Sequence, residues 1–181
     1  MLLDTPVCDF GWSATEFTLK DPDGQSYTMS QHLGEKGLLI AFICNHCPYV
    51  QAIADRLSED AHELMQEGIN VLAVMSNDYQ YVPSDSPENM KLFASQYKFQ
   101  FPYLIDETQH VGKAYGAVCT PDFFGFNAKG ELQYRGRLDD ARMDNAKDRT
   151  RELFEAMRLI AKTGQGPRDQ TPSMGCSIKW R

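Results

Sequence analysis

The chain has 181 residues, of which 42% are hydrophobic and 24% charged, one domain's worth of sequence able to build a core without disulfides or a structural metal. Its formal net charge of −7 leaves no basic excess for nucleic acid or an anionic membrane. The longest apolar run, residues 38–44, is too short to cross a bilayer, and the N-terminus carries no signal-peptide pattern, so the expectation is a cytoplasmic protein.

In chain order, two short polar-apolar stretches at residues 17–20 and 25–29 flank the turn Asp21-Pro22-Asp23-Gly24, which predicts an N-terminal β-hairpin. Residues 37–43 are continuously apolar and predict a central strand covered on both faces. Val50, Ile53, Leu57, Ala61 and Leu64 then recur at helical spacing up to Gly68, with Pro48 in the first turn. Further on, a strand is expected at 69–75, a helix opened by Ser86-Pro87, a short strand at 103–105 and a short helix at 108–115. Residues 123–127 and 132–136 read as paired strands around Lys129-Gly130, and 149–162 as a last helix. This alternation implies an α/β fold with a central mixed sheet, helices on both faces and the hairpin as an extension.

The domain is expected to span residues 1–162, with 163–181 a tail docked on it. In that tail Cys176, Ile178 and Trp180 alternate with polar residues, as in an edge strand. Charged clusters at Glu59-Asp60 and residues 135–142 read as solvated surface.

Five cysteines, at positions 8, 44, 47, 119 and 176, are too few and too widely spaced for a secreted disulfide scaffold. The close pair Cys44-Asn45-His46-Cys47 falls where the central strand turns into the first long helix. A helix N-terminus favours a thiolate, which is expected on Cys44 and is stabilised further by His46. Cys47, one turn on, lies roughly 5–6 Å away at Cβ, within reach of a disulfide. A zinc site would need a second ligand pair that the chain lacks, so neither metal nor cofactor is expected.

Four segments, including the CNHCPYV stretch at 44–50, "VCTPDFFGFN" at 118–127 and "GCSIKW" at 175–180, resemble the thioredoxin superfamily. The branch they resemble holds the alkyl hydroperoxide reductase and thiol-specific antioxidant proteins, with a likeness to bacterial thioredoxin-like proteins that share CNHCPYV. The resemblance implies a thioredoxin-like fold and a thiol-disulfide oxidoreductase using Cys44 as attacking and Cys47 as resolving sulfur. It also implies a cis-proline at Thr120-Pro121, beside which a substrate segment would pair with the Thr120 backbone. The partners implied are a disulfide-containing protein or small thiol/disulfide and a cellular thiol reductant such as thioredoxin or glutathione.

The chain departs from the family patterns. Peroxiredoxins carry Pro-x-x-x-Thr/Ser-x-x-Cys, but counting back from Cys44 gives Ala41 and Gly37, and from Cys47 gives Cys44 and Ile40. A thiol peroxidase is therefore the runner-up, and a non-catalytic peptide-binding module the third reading. Ile43 and Leu38 stand where thioredoxins have a tryptophan and a buried aspartate. Cys119 reads either as an additional redox thiol or as a small apolar filler; Cys176 reads as buried, or else as a resolving thiol. Cys8 is expected to be structural.

Overall fold

Every side chain of residues 38–43 is buried, which demands cover on both faces, and the segment lies at the centre of the molecule. The structure, a computed structural model, describes residues 1–181. In chain order its elements are β1 (Leu2–Asp4), β2 (Thr18–Lys20), β3 (Ser26–Thr28), β4 (Leu38–Phe42), α1 (Pro48–Gln51), α2 (Ala54–Gln66), β5 (Asn70–Met75), α3 (Pro87–Gln96), β6 (Tyr103–Ile105), α4 (His110–Tyr115), β7 (Cys119–Thr120), β8 (Asp122–Phe126), β9 (Leu132–Tyr134), α5 (Glu152–Thr163) and β10 (Met174–Ser177).

Seven strands form one mixed sheet in the order β3-β2-β6-β5-β4-β8-β9. β4, β5 and β6 are parallel, while β8 and β9 continue antiparallel from β4. The expected hairpin is β2–β3, joined to the far edge where Lys20 faces Ile105. Alternate residues of β4 serve opposite faces. Leu39 and Ala41 pack with Leu57, Leu64 and Met157; Leu38, Ile40 and Phe42 pack with Val111, Tyr115 and Phe124. The α/β architecture with helices on both faces is as expected.

The helix expected from Pro48 to Gly68 is two helices. Between them Ile53 takes φ −113° and ψ −2°, and the Arg56 guanidinium donates to the Ala52 carbonyl at 3.1 Å, a side chain standing in for a helical N–H.

The C-terminal strand departs from its expected place as well. β10 is no edge strand but the middle of a separate three-stranded sheet, β1-β10-β7, with Cys176 opposite both Leu2 and Thr120. Neither β1 nor β7 is long enough to show a period-2 pattern, so sequence alternation had no means of revealing them.

The charged clusters at Glu59-Asp60 and 135–142 are also not simply solvated surface. Asp60 is fully buried and accepts from Arg149 and Arg151, while Arg56 and Arg149 pair with buried Asp139. Arg135 makes a two-point pair with Asp122 at 2.8 and 3.2 Å and lies over the Phe124 ring. The partners are 10 to 91 residues apart in sequence, so a local charge run could not show that they neutralise one another.

Candidate active site

The site forms where β4 ends. Its first sulfur, Cys44, leaves the strand two residues after Phe42, and the next two residues are pinned as a loop by one carboxylate. Asp85 accepts the main-chain N–H of Asn45 at 2.7 Å and of His46 at 3.2 Å. Because those N–H groups go to Asp85, the helix begins only at Pro48, and Cys47 is the N-cap of α1. Cys47, not Cys44, therefore receives the favourable helix terminus, which corrects the sequence expectation.

The sulfurs behave accordingly. A hydrogen bond from Cys44 is the main cause holding the Cys47 thiol low, at about 4. Burial opposes it, and the Cys176 thiol together with the Val50 and Cys176 N–H groups adds to the lowering. The Cys47 sulfur makes no capping bond of regular geometry, so the side-chain donors outweigh the cap. Cys44 is driven the other way, first by donating to Cys47, then by burial and by the nearby Asp85 charge. Its Sγ is 3.3 Å from the Thr120 hydroxyl. Cys47 Sγ lies 3.4 Å from the Thr120 carbonyl oxygen, an acceptor that favours a protonated Cys47.

Thr120-Pro121 is a cis peptide beside both sulfurs. The Thr120 backbone is not open to a substrate segment, however, because β10 already pairs with it. Its Cys176 Sγ sits 2.8 Å from Cys47 Sγ. Burial and the bond to Cys47 push the Cys176 thiol up to about 11. Cys119 is fully buried, makes no hydrogen bond to the other sulfurs, and is pushed by burial up to about 12. Cys8 is remote, half-buried and likewise raised by burial, to about 11. A cavity of about 80 Å³ adjoins Pro121, lined by Tyr49, Phe123, Arg137 and Met174, with no cysteine on its wall.

His46 does not sit over Cys44 as a free cation. Its Nδ1 and Asp85 Oδ2 are 2.6 Å apart, an ion pair that raises the imidazole pKa from 6.5. Burial works against the Asp85 charge, but donors from His46, Asn77 and the Asn45 backbone outweigh it and keep the carboxyl below 3.8. Asn45 itself is fixed by Tyr103, whose hydroxyl donates to its side-chain oxygen at 2.9 Å. Cys44, His46 and Asp85 bring three possible metal-ligand atoms within 4.8 Å of one another, although the Asp85 oxygens are already taken by four donors.

Sequence reasoning missed Asp85, Asn77 and Tyr103. Asp85 stands just before the Ser86-Pro87 helix start, about 40 residues from Asn45 and His46, so no local spacing ties it to the cysteine pair.

Asp85→Asn is expected to return the His46 pKa towards 6.5, followed by imidazole NMR titration. With His46 raised and Asp85 lowered, the pair stabilises the fold fully from above pH 3.8 to below 6.5. That contribution fades as pH climbs through the raised His46 value. An imidazole titrating unchanged in the variant would remove Asp85 as the cause.

The AhpC/TSA family profile matches residues 10–135. The chain belongs to the AhpC/TSA family. This AhpC/TSA protein is similar along 100% of its length to a solved conserved protein from Geobacillus kaustophilus, with 39% identity, 97% of that chain covered and a TM-score of 0.93. It shares the thioredoxin-like fold with a secreted disulfide oxidoreductase of Mycobacterium tuberculosis, at 19% identity and TM-score 0.62 over 79% of this chain and 95% of the other. Among curated relatives it is 27% identical to the thiol-disulfide oxidoreductase ResA of Halalkalibacterium halodurans, over 71% of this chain and 69% of ResA. It is 25% identical to the chloroplastic peroxiredoxin Q of Populus jackii, over 64% of this chain and 49% of that protein.

Proposed function

We propose that the protein is a thiol–disulfide oxidoreductase whose redox pair is Cys44 and Cys47, with Cys47 the sulfur held as thiolate. The observation carrying this reading is the meeting of both sulfurs at the start of α1 against Thr120-Pro121, Cys44 Sγ 3.3 Å from the Thr120 hydroxyl and Cys47 Sγ 3.4 Å from its carbonyl oxygen, with Cys176 Sγ 2.8 Å from Cys47. In the net reaction a substrate disulfide takes up two electrons and two protons to become two thiols, while Cys44 and Cys47 lose them and join. A cellular thiol reductant of the thioredoxin or glutathione class returns the pair to dithiol. The likeness to ResA supports this activity, and a reducing compartment, the cytoplasm, suits a centre that starts its cycle as thiols.

Titration of the ultraviolet thiolate absorbance, wild type minus Cys47→Ser, tests the reading. The inflection is expected well below the free-thiol value of about 8.5. An inflection at or above that value would sink the proposal.

Peroxide reduction is the second reading, favoured by the family and by the low Cys47 thiol. It lacks the hydroxyl in the register ending at Cys47, where Cys44 stands, and the Thr120 hydroxyl faces Cys44 instead. Cys47-dependent peroxide turnover faster than disulfide exchange would reverse the order of the two readings.

A further inference from the structure

The groove beside Thr120 and Pro121 contains a strand of the chain itself. Cys176 stands opposite Thr120, where a bound segment would pair. Gly175 permits this approach, since a Cβ there would lie 1.8 Å from the Thr120 carbonyl oxygen. The strand is anchored on both sides of Cys176. Ser173 Oγ donates to the Pro121 carbonyl at 2.7 Å, the Lys179 N–H donates to Asn77 at 2.8 Å, and Gln109 donates to the Lys179 carbonyl at 2.8 Å. Ile178 is buried in the second core cluster. Evicting β10 would break all of these at once and uncover apolar surface.

Access to the redox pair is correspondingly closed. Cys44 is 1% exposed and Cys47 0%, whereas Cys176 is partly open to solvent. The Cys47–Cys176 sulfur separation of 2.8 Å needs only a small closing movement to reach bonding distance.

We infer that Cys176 is the outward terminal of the redox centre: a Cys47–Cys176 disulfide, not the buried Cys44–Cys47 bond, exchanges with outside molecules, and these are small thiols or disulfides rather than extended peptide strands. The inference rests on the oxidoreductase reading above. Starting from oxidised enzyme, the deprotonated Cys176 attacks Cys47 of the Cys44–Cys47 bond. Cys44 leaves as a thiolate and takes a proton, and the Cys47–Cys176 bond forms. An outside thiolate then attacks Cys176, making a mixed disulfide, and Cys47 departs with the bonding electron pair. Of the two sulfurs Cys47 is the better leaving group, so attack at the exposed sulfur is also the favoured cleavage. A second outside thiolate attacks the outer sulfur of the mixed disulfide, giving an outside disulfide and freeing Cys176. Two electrons have passed from two thiols to the enzyme, and the reverse sequence reduces a small disulfide.

The test uses the full chain with oxidised glutathione as probe. Peptide mapping of the oxidised Cys44→Ser variant is expected to find a Cys47–Cys176 link. Cys176→Ser is expected to slow reduction of the probe about tenfold or more, while the Cys44–Cys47 pair still forms after long equilibration. Gly175→Ala pushes β10 away from Thr120 and discriminates further: a terminal predicts a slower rate, a mere lid a faster one. An unchanged or faster rate in Cys176→Ser, or a faster one in Gly175→Ala, overturns the inference while leaving the oxidoreductase reading intact. Wild type with no dithiol–disulfide transition at all overturns both.

Discussion

Cys47→Ser is expected to lower disulfide reduction about a thousandfold or more, because a serine hydroxyl stays protonated near neutral pH and oxygen cannot enter a disulfide. The substitution also removes the acceptor that raises Cys44, so the Cys44 thiol should move back down towards its ordinary value. Stability should not fall with activity, because serine is among the preferred N-cap residues and position 47 is the N-cap of α1. Loss of turnover with an unchanged thermal melt thus separates chemistry from folding. Cys44→Ser should instead keep the first exchange and accumulate the Cys47–Cys176 disulfide, visible by mass spectrometry. If Cys47→Ser retained more than about a tenth of the wild-type rate, Cys47 would not be the reacting thiolate.

The largest effect on stability is expected from Arg135→Met. Asp122 is 0% exposed and begins β8 directly after Pro121; Arg135 is its two-point partner and also donates to the Gly116 carbonyl at 3.0 Å. Removing one member of a buried ion pair leaves an uncompensated charge, a cost of about 3–5 kcal/mol, measurable by urea unfolding. The pH dependence has a definite sign. Burial raises Asp122 to about 6 even with Arg135 present, so the folded state binds more protons than the unfolded state between 3.8 and about 6, and stability declines as pH rises through that window. Without the guanidinium the carboxyl rises further, so the variant's deficit should grow from about pH 5 to about pH 8. A deficit that shrank over that range, or stayed below about 1 kcal/mol, would mean the pair is not what holds the Asp122 charge.

The legible features were those written in neighbouring residues. Residues 37–43 could be read as a doubly covered strand because unbroken apolar sequence has one stable use in a sheet. The hairpin around Asp21-Pro22-Asp23-Gly24, the helix opened by Ser86-Pro87 and the cysteine pair at a strand–helix junction are likewise local patterns. What went astray was set by partners distant in sequence. The break between α1 and α2, the buried state of Asp60 and Arg135, and the engagement of His46 with Asp85 each depend on a contact made across the fold.

Composition and spacing alone determined an α/β domain with a dithiol where its central strand ends, because apolar periodicity and helix-start chemistry act within a few residues. Only the tertiary structure decided which groups surround each sulfur and which sulfur faces solvent. Those properties follow from hydrogen-bond partners and burial: the carboxylate that fixes the loop between the two cysteines comes from Asp85, and the third sulfur from a strand 129 positions beyond Cys47, brought in by packing that no local pattern encodes.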